Sequence, residues 1–364
     1  MDIGGPILDW SKVDMDHEFG VMTHKGVQSV RFTIDWSVAQ PYADYSKVPK
    51  DQVSNYPPDE NGVPTTYAFI DPIVRDAAEH HLALLPMVLA APKWDGMKKT
   101  VYHGFGERRP KKVAPYANFM KDLVNRYGPE GQFWNENPSL PYRPIRRWQI
   151  WNEPNYLGFW DGDLASYTKL LRASYRAIKQ TDSGTQVILA GLTNTTNSYS
   201  WDALDTIYKE DGKGYFDVVA AQPFSTSVDG VYTILKRMRR VMRKNHDGGR
   251  SMYVTETSWP SSQGKVRYIR SEQGFSVTEQ QQAKNVAALY KLLAKKCDSL
   301  HLIEVDWYTW ISTDRGTQQP FDYSGLSAFQ HGKIRRKPGL KRLAKTALGL
   351  EHCKTKTYAD ACSS

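Results

Sequence analysis

Short apolar, β-branched runs alternate with amphipathic stretches along most of this 364-residue chain. The first run, at residues 3–8, is weakly written. Seven stronger ones follow: VQSVRFTI from Val27, LALLPMVL from Leu82, IRRWQIW from Ile145, QVILAG from Gln186, YFDVVAA from Tyr215, SMYVTE from Ser251 and LHLIEVDWYTW from Leu300. Between them the spacing predicts helices over 67–81, 114–126, 164–179, 231–244 and 279–295. In the third, Leu164, Tyr167, Leu170, Leu171, Ser174, Tyr175 and Ile178 fall close to one helical face. Strand and helix in alternation predict βα units around a parallel sheet. An open, doubly wound sheet would give a similar pattern, but no Gly-rich phosphate turn follows any run. Eight units favour a closed α/β architecture, the (β/α)8 TIM barrel, with a single domain over 1–350 and a tail over 351–364. The long segments after the second and third strands, 35–66 and 90–113, then lie on the C-terminal face, where barrel active sites sit.

Composition agrees with that size. Hydrophobic residues make up 40%, enough for a large core. No run of about 18 uncharged apolar residues occurs, so no membrane span is expected. Residues 1–9 lack the basic head and apolar stretch of a signal peptide, so an exported form would begin after its cleavage site. Cys353 and Cys362 stand in a short polar tail. A disulfide closing that loop implies an oxidising, extracellular setting, and two surface thiols of a cytosolic protein are the alternative. Cys297 follows a helical stretch and is expected to be buried or half-buried.

Charge changes the picture in one respect. Lys and Arg number 48 against 39 Asp and Glu, a net +9. Such an excess suits nucleic acid or an anionic glycan. No helix-turn-helix, zinc or RNA-binding signature accompanies it, so a nucleic-acid partner is not expected. The stretch KIRRKPGLKRLAK from Lys333 reads as the solvated face of a last helix. Lys98, Lys99, Arg108, Arg109, Lys111 and Lys112 follow the third strand and belong near the barrel mouth, whereas Arg143, Arg146 and Arg147 belong at the opposite end. An anionic oligo- or polysaccharide is one partner this suggests, and simple solubility is the other explanation.

The chemistry concentrates in two strand ends. In WQIWNEPN, Glu153 follows Asn152 directly after the fourth strand; in MYVTETSWP, Glu256 ends the seventh and precedes Trp259 and Pro260. Strands four and seven face each other across a closed barrel. Glycosidic cleavage needs one carboxyl group to protonate the departing oxygen and another to attack or stabilise the anomeric carbon. An ordinary glutamate caps a helix or pairs with a surface lysine; a Trp-flanked Asn-Glu-Pro matched by a second strand-end glutamate does not fit that description. Other chemistries lack their motifs. His80 and His81 end a helix, no HExxH or comparable metal spacing occurs, and no GxSxG elbow or Walker loop is present. The acidic DMDHE from Asp14 opens a first helix, where it complements the helix dipole. Neither a metal nor a cofactor is expected.

The pair WNEPN and TETSWP resembles the clan A retaining glycosidases, and the pattern around WNEPN resembles family 39 and its bacterial relatives, which include β-xylosidases and exopolysaccharide glycosidases. The resemblance implies a retaining glycoside hydrolase with Glu153 as acid/base and Glu256 as nucleophile. It further implies that Arg31 holds the nucleophile ionised, Asn152 binds the sugar 2-hydroxyl and Trp310 floors the reacting-sugar subsite. Trp36, Trp94 and Trp160 follow strands two, three and four, and serve either as stacking walls or as packing under the loops. Relatives often carry His and Tyr at the end of strand six, where this chain has Gln222 and Phe224. Gln222 therefore joins the substrate-binding set, and the nucleophile loses a usual tyrosyl partner. A transglycosylase using the same residues and a non-catalytic carbohydrate-binding barrel are the competing readings. Both glutamates, Asn152 and Arg31 together argue against the second.

Overall fold

The computed structural model describes residues 1–57, 62–102, 106–195, 198–267, 274–316 and 318–363. Eight parallel strands form one curled sheet: β1 Asp2–Ile3, β2 Ser29–Asp35, β3 Ala83–Leu89, β4 Arg147–Ile150, β5 Gln186–Ile188, β6 Val218–Gln222, β7 Ser251–Val254 and β8 Leu302–Val305. A short continuation of β5, Leu192–Thr193, also pairs with β6. The Asp2 amide donates to the Trp307 carbonyl at 3.0 Å and the Trp310 amide to the Asp2 carbonyl at 3.2 Å. These two bonds bring the end of the last strand against the first and close the (β/α)8 barrel. The weak first run is mostly not strand: beyond Ile3 the chain turns through a 3-10 helix at Gly5–Leu8, with Gly5 at φ 65° and Pro6 lacking a ladder donor.

One principal helix follows each strand: α1 Met15–His24, α2 Asp71–Glu79, α3 Val113–Tyr127, α4 Leu164–Thr181, α5 Ser200–Lys209, α6 Val228–Lys244, α7 Glu279–Leu300 and α8 Pro338–Leu350. The five predicted helices are all present, within a few residues of the expected ends. Side-chain caps fix several starts. Asp163 accepts from the Ser166 amide at 2.8 Å, Thr278 from Gln281 at 3.1 Å and Ser227 from Gly230 at 3.1 Å.

Parallel strands buried on both sides explain the continuous apolar runs. On β2, Val30, Phe32 and Ile34 enter the main core with Phe19, Met22, Ile73 and Val74 of the flanking helices. Arg31, between them in sequence, turns to the barrel axis. A separate apolar cluster, Leu85, Ile188, Val218, Ala220 and Tyr253, is supplied by strands alone.

Three expectations about polar segments need revision or refinement. First, KIRRKPGLKRLAK is not the solvated face of one helix. Lys333–Arg336 is a strand pairing antiparallel with Ser327–Gln330, which pairs in turn with Ile311–Ser312. Lys337 is fully buried and donates to Asp314 Oδ1 at 2.8 Å, Ser261 Oγ at 3.0 Å and the Tyr323 carbonyl at 3.1 Å. Second, within DMDHE, Asp14 caps α1 by accepting from His17 at 3.0 Å, but Glu18 is buried and accepts from Trp310 Nε1 at 2.6 Å and from both Arg336 Nη atoms at 2.6 and 2.7 Å. Third, Cys353 and Cys362 form a disulfide with Cα atoms 5.5 Å apart, in a tail hairpin that docks near the end of α2. There the Tyr358 ring stacks on His81 at 4.1 Å and Asp360 pairs with Arg143. Cys297 is a half-buried thiol.

Glu18 ties α1 to the last strand pair through an enclosed indole N–H and a guanidinium. Glu18→Ala should lower the unfolding free energy by about 2–3 kcal/mol, since both donors lose a charged acceptor and Arg336 recovers only part of its hydration. Denaturant unfolding checks this, and a change under about 0.5 kcal/mol would show the contact to be dispensable.

Candidate active site

The backbone itself lifts Glu153 into position. After β4, Trp151 and Glu153 both take left-handed conformations, with φ 69° and 38°. Non-glycine residues there cost about 1–3 kcal/mol each, and such strain collects at functional sites. The turn is held by Trp151 N–H to the Val88 carbonyl at 3.1 Å and Glu153 N–H to the Gly191 carbonyl at 3.1 Å. Asn152 bridges to Gly191 in parallel fashion. Glu256 extends from β7, where the Thr255 amide donates to Ala221 at 3.0 Å.

Arg31 organises the interior. Its side chain is 2% exposed; Nε donates to Gln149 Oε1 at 2.7 Å, Nη1 to Asp2 and to Glu256 Oε1 at 2.6 Å, and Nη2 to Asn152 Oδ1 at 3.1 Å. Gln222, fully buried, donates from Nε2 to the same Glu256 oxygen at 2.6 Å and to Asn152 Oδ1 at 2.8 Å. Asn152 Oδ1 thus accepts from two side chains, which fixes the direction of its own amide N–H2.

The two glutamates differ in what opposes their burial. Burial pushes the Glu256 carboxyl up to about 7, with Arg31 pulling it down. Burial pushes Glu153 well above the usual carboxylate range, and the Glu256 charge pushes the same way; a hydrogen bond from Thr193 and the more remote Arg31 only partly offset this. Glu256 therefore ionises first, and Glu153 keeps its proton beside it. Asp2, which shares Arg31, is raised to about 6, chiefly by burial. Tyr156 is pushed up to about 12 by burial and then by Glu153, which places its hydroxyl near that carboxyl.

Sequence reasoning thus selected Arg31, Asn152, Glu153, Gln222 and Glu256, and the structure brings all five together. It does not bring the tryptophans with them. Trp36 is fully enclosed, edge-on to Trp94 and Tyr116, with its N–H on Gln40 Oε1 at 2.7 Å. Trp160 is 3% exposed, wedged against Trp151 and Tyr167. Trp310 is fully enclosed beside Glu18 and Arg336. None of these three offers an open face to a sugar: each fills the layer under a loop or between helix and sheet. Trp94 is half-buried and ties the two long loops together through the Gln40 carbonyl at 2.8 Å.

Just after β8 it is Tyr308, two places before Trp310, that approaches the site. It is half-buried, and the Glu256 charge, after burial, raises its hydroxyl. Tyr308 meets Phe321 at 6.0 Å, and Phe321 meets Phe224 at 5.2 Å and Phe275 at 5.5 Å. These half-buried rings form an aromatic wall from the loops after β6, β7 and β8. In WYTW the composition draws the eye to tryptophan; only the path of the chain after β8 distinguishes Tyr308. Gln149 and Asp2 were also missed, although Gln149 is a polar residue inside an apolar run and so left a signal. Of the six basic residues after β3, Arg109 leans on Trp160 and donates to the Asp161 carbonyl, and Arg108 donates to Met97 at 3.1 Å. Lys98, Lys99, Lys111 and Lys112 are exposed.

The fold and site together define a (β/α)8 barrel with two buried strand-end glutamates at its mouth, one of them on an arginine. The structure is similar to a monomeric beta-xylosidase from Caulobacter crescentus CB15, at 16% identity over 94% of this chain and 66% of that one, TM-score 0.63. It is likewise similar to a family 39 glycoside hydrolase from Bacteroides cellulosilyticus WH2, at 16% identity over 95% and 62%, TM-score 0.63. The GH53 catalytic domain from Ignisphaera aggregans aligns over 91% of this chain and 88% of that one, at 17% identity and TM-score 0.56. The chain spans less than two thirds of the Bacteroides enzyme and 66% of the Caulobacter one. Identities this low establish a shared fold. No protein-family model matches the chain, and no curated protein does.

Raised carboxyl pKa values have a thermodynamic consequence. The folded state holds the Glu153 proton to higher pH than the unfolded chain does, so this group's stabilising contribution is complete below the unfolded pKa and is lost as pH rises through the folded one. Glu153→Gln should therefore gain stability relative to the parent as pH rises from about 5 to about 8. Paired thermal melts test it; a difference that stays flat across that range would mean Glu153 is not held protonated.

Proposed function

We propose that the protein is a retaining glycosidase acting on an oligo- or polysaccharide. The observation that carries this is the opposite setting of two buried strand-end carboxyl groups, Glu256 on the Arg31 guanidinium and Glu153 without a comparable cation among the described residues. Glu256 Oε1 is taken by Arg31 and Gln222, so Oε2 is the oxygen that attacks the anomeric carbon. As that bond forms, the bond to the leaving oxygen breaks and Glu153 transfers its proton to it. Water then attacks the glycosyl ester, Glu153 takes the water proton, and the Glu256 carboxylate departs. The Asn152 amide N–H2, oriented by its doubly bonded oxygen, is turned to a sugar hydroxyl. Tyr308 and the Phe224, Phe275 and Phe321 rings supply apolar walls, and Trp94 braces the loops that border the path. The similar structures bear names such as beta-xylosidase and family 39 glycoside hydrolase, which supports a carbohydrate substrate.

A panel of activated aryl glycosides and polysaccharides tests the reading. On the sugar that is turned over, Glu256→Ala should abolish glycosylation, a loss of at least about 10⁴-fold. Glu153→Ala should keep activity where the leaving group needs no proton, and azide should give products of opposite anomeric configuration from the two variants. An inverted first product from the parent enzyme would overturn the retaining assignment. Lys98, Lys99, Lys111 and Lys112 further suggest an anionic glycan; kcat/KM on such a substrate should fall between about 0.02 and 0.2 M salt, and a flat response would remove the charge preference.

Export is the compartment that fits the Cys353–Cys362 pair. Mass spectrometry under non-reducing conditions should find one free thiol, at Cys297, and three free thiols would remove the case for secretion. Closing so short a loop stabilises by no more than about 3 kcal/mol on chain-entropy grounds.

A further inference from the structure

Gln222 occupies a position that no simple packing role explains. Its side chain is fully buried, and its Oε1 has no hydrogen-bond partner among the described residues. Burying an amide acceptor without a partner is unfavourable, and an apolar side chain of similar shape would avoid that cost. The Nε2 end, by contrast, meets two acceptors, Glu256 Oε1 at 2.6 Å and Asn152 Oδ1 at 2.8 Å. The orientation of the amide follows from those partners, because a flipped amide would set one oxygen against two others. Room for the side chain depends on Gly191. A Cβ at that position would lie 2.6 Å from Gln222 Nε2 and 2.8 Å from its Cγ.

We infer that Gln222 is the positioning residue of this site: its amide N–H2 joins Arg31 in holding Glu256 Oε1, favours the carboxylate form of Glu256, and locks Asn152 so that its amide faces the substrate. The inference rests on the reading of Glu256 as nucleophile and goes beyond it. Where the resemblance led to the expectation of a nucleophile deprived of a tyrosyl donor, an amide that never ionises takes the same task. Among the described residues, the charged and titratable groups facing Glu256 are Arg31, which lowers its proton affinity, Asp2 and Asp306, which raise it, and Glu153, which the Glu256 charge helps keep protonated; Tyr308 lies within reach of its charge. Gln222 adds a neutral donor to the lowering side, and hydrogen bonds to a charged form favour that form.

The test needs no substrate, so its outcome is separate from whether the protein proves to be a glycosidase. Carboxyl-¹³C glutamate labelling, with Glu256→Gln to assign the resonance, gives the Glu256 titration midpoint directly. Gln222→Met, which keeps the shape and removes the donor, should move that midpoint up by about one pH unit. Gly191→Ala, which keeps the amide but displaces it, should move it in the same direction. Either variant decides alone if the other fails to fold. On an aryl glycoside that the parent cleaves, the acidic limb of kcat/KM should shift up by a like amount. A Glu256 midpoint that stays put in a folded variant, whatever happens to Tm, would reduce Gln222 to a packing residue and overturn the inference.

Discussion

A single guanidinium, that of Arg31, carries the electrostatic balance of the barrel mouth. Around it lie Asp2 and Glu256 in direct contact, with Glu153 beyond. Buried carboxylates in low dielectric repel one another and lose their hydration, so one cation cannot keep three such groups ionised near neutral pH. Contact geometry decides which keeps its charge: Glu256 has Arg31 and the Gln222 amide on one oxygen, and Glu153 has neither. Two identical side chains are thereby set to opposite protonation states, one carrying a proton and the other a charge, as the proposed reading requires.

That balance depends on the frame. Arg31 reaches the axis because β2 is buried on both sides and alternates inward and outward, so the residue between Val30 and Phe32 points away from the helices. Glu153 reaches the mouth through two left-handed residues, whose strain the Val88 and Gly191 carbonyl contacts oppose. Gly191 has three tasks there. Its carbonyl holds Glu153, its backbone pairs with Asn152, and its missing side chain admits Gln222.

The aromatic residues divide by environment rather than by type. Trp36, Trp160 and Trp310 sit deep in the loop and helix layers, each with its indole N–H on a protein acceptor. Tyr308, Phe224, Phe275 and Phe321 keep part of their surface open around the Glu256 side of the mouth. Large indoles bury the most area when enclosed and need only one partner for the N–H, so a barrel rich in tryptophan uses most of them as filler. The basic run near the C-terminus divides likewise: Lys337 is an internal cation satisfied by three acceptors, and Arg336 neutralises Glu18.

What the sequence determined by itself was whatever depends on local period and on strand ends. Alternating apolar runs and amphipathic stretches specify the βα repeat, and seven of eight strands and the five named helices could be read from them. The eighth, β1, was blurred because only two residues pair and the rest turns through Gly5 and Pro6. Glu153 and Glu256 were legible because a carboxyl directly after an apolar strand has few structural reasons to be there. Only the tertiary structure could decide distances between residues far apart in the chain. It put Gln222 on the same oxygen as Arg31, brought Tyr308 rather than Trp310 within reach of Glu256, and enclosed Glu18 with partners from the other end of the chain. The physical reason is that periodicity records which face of an element is buried, whereas a hydrogen bond or an electrostatic pairing depends on where closure of the barrel brings that face.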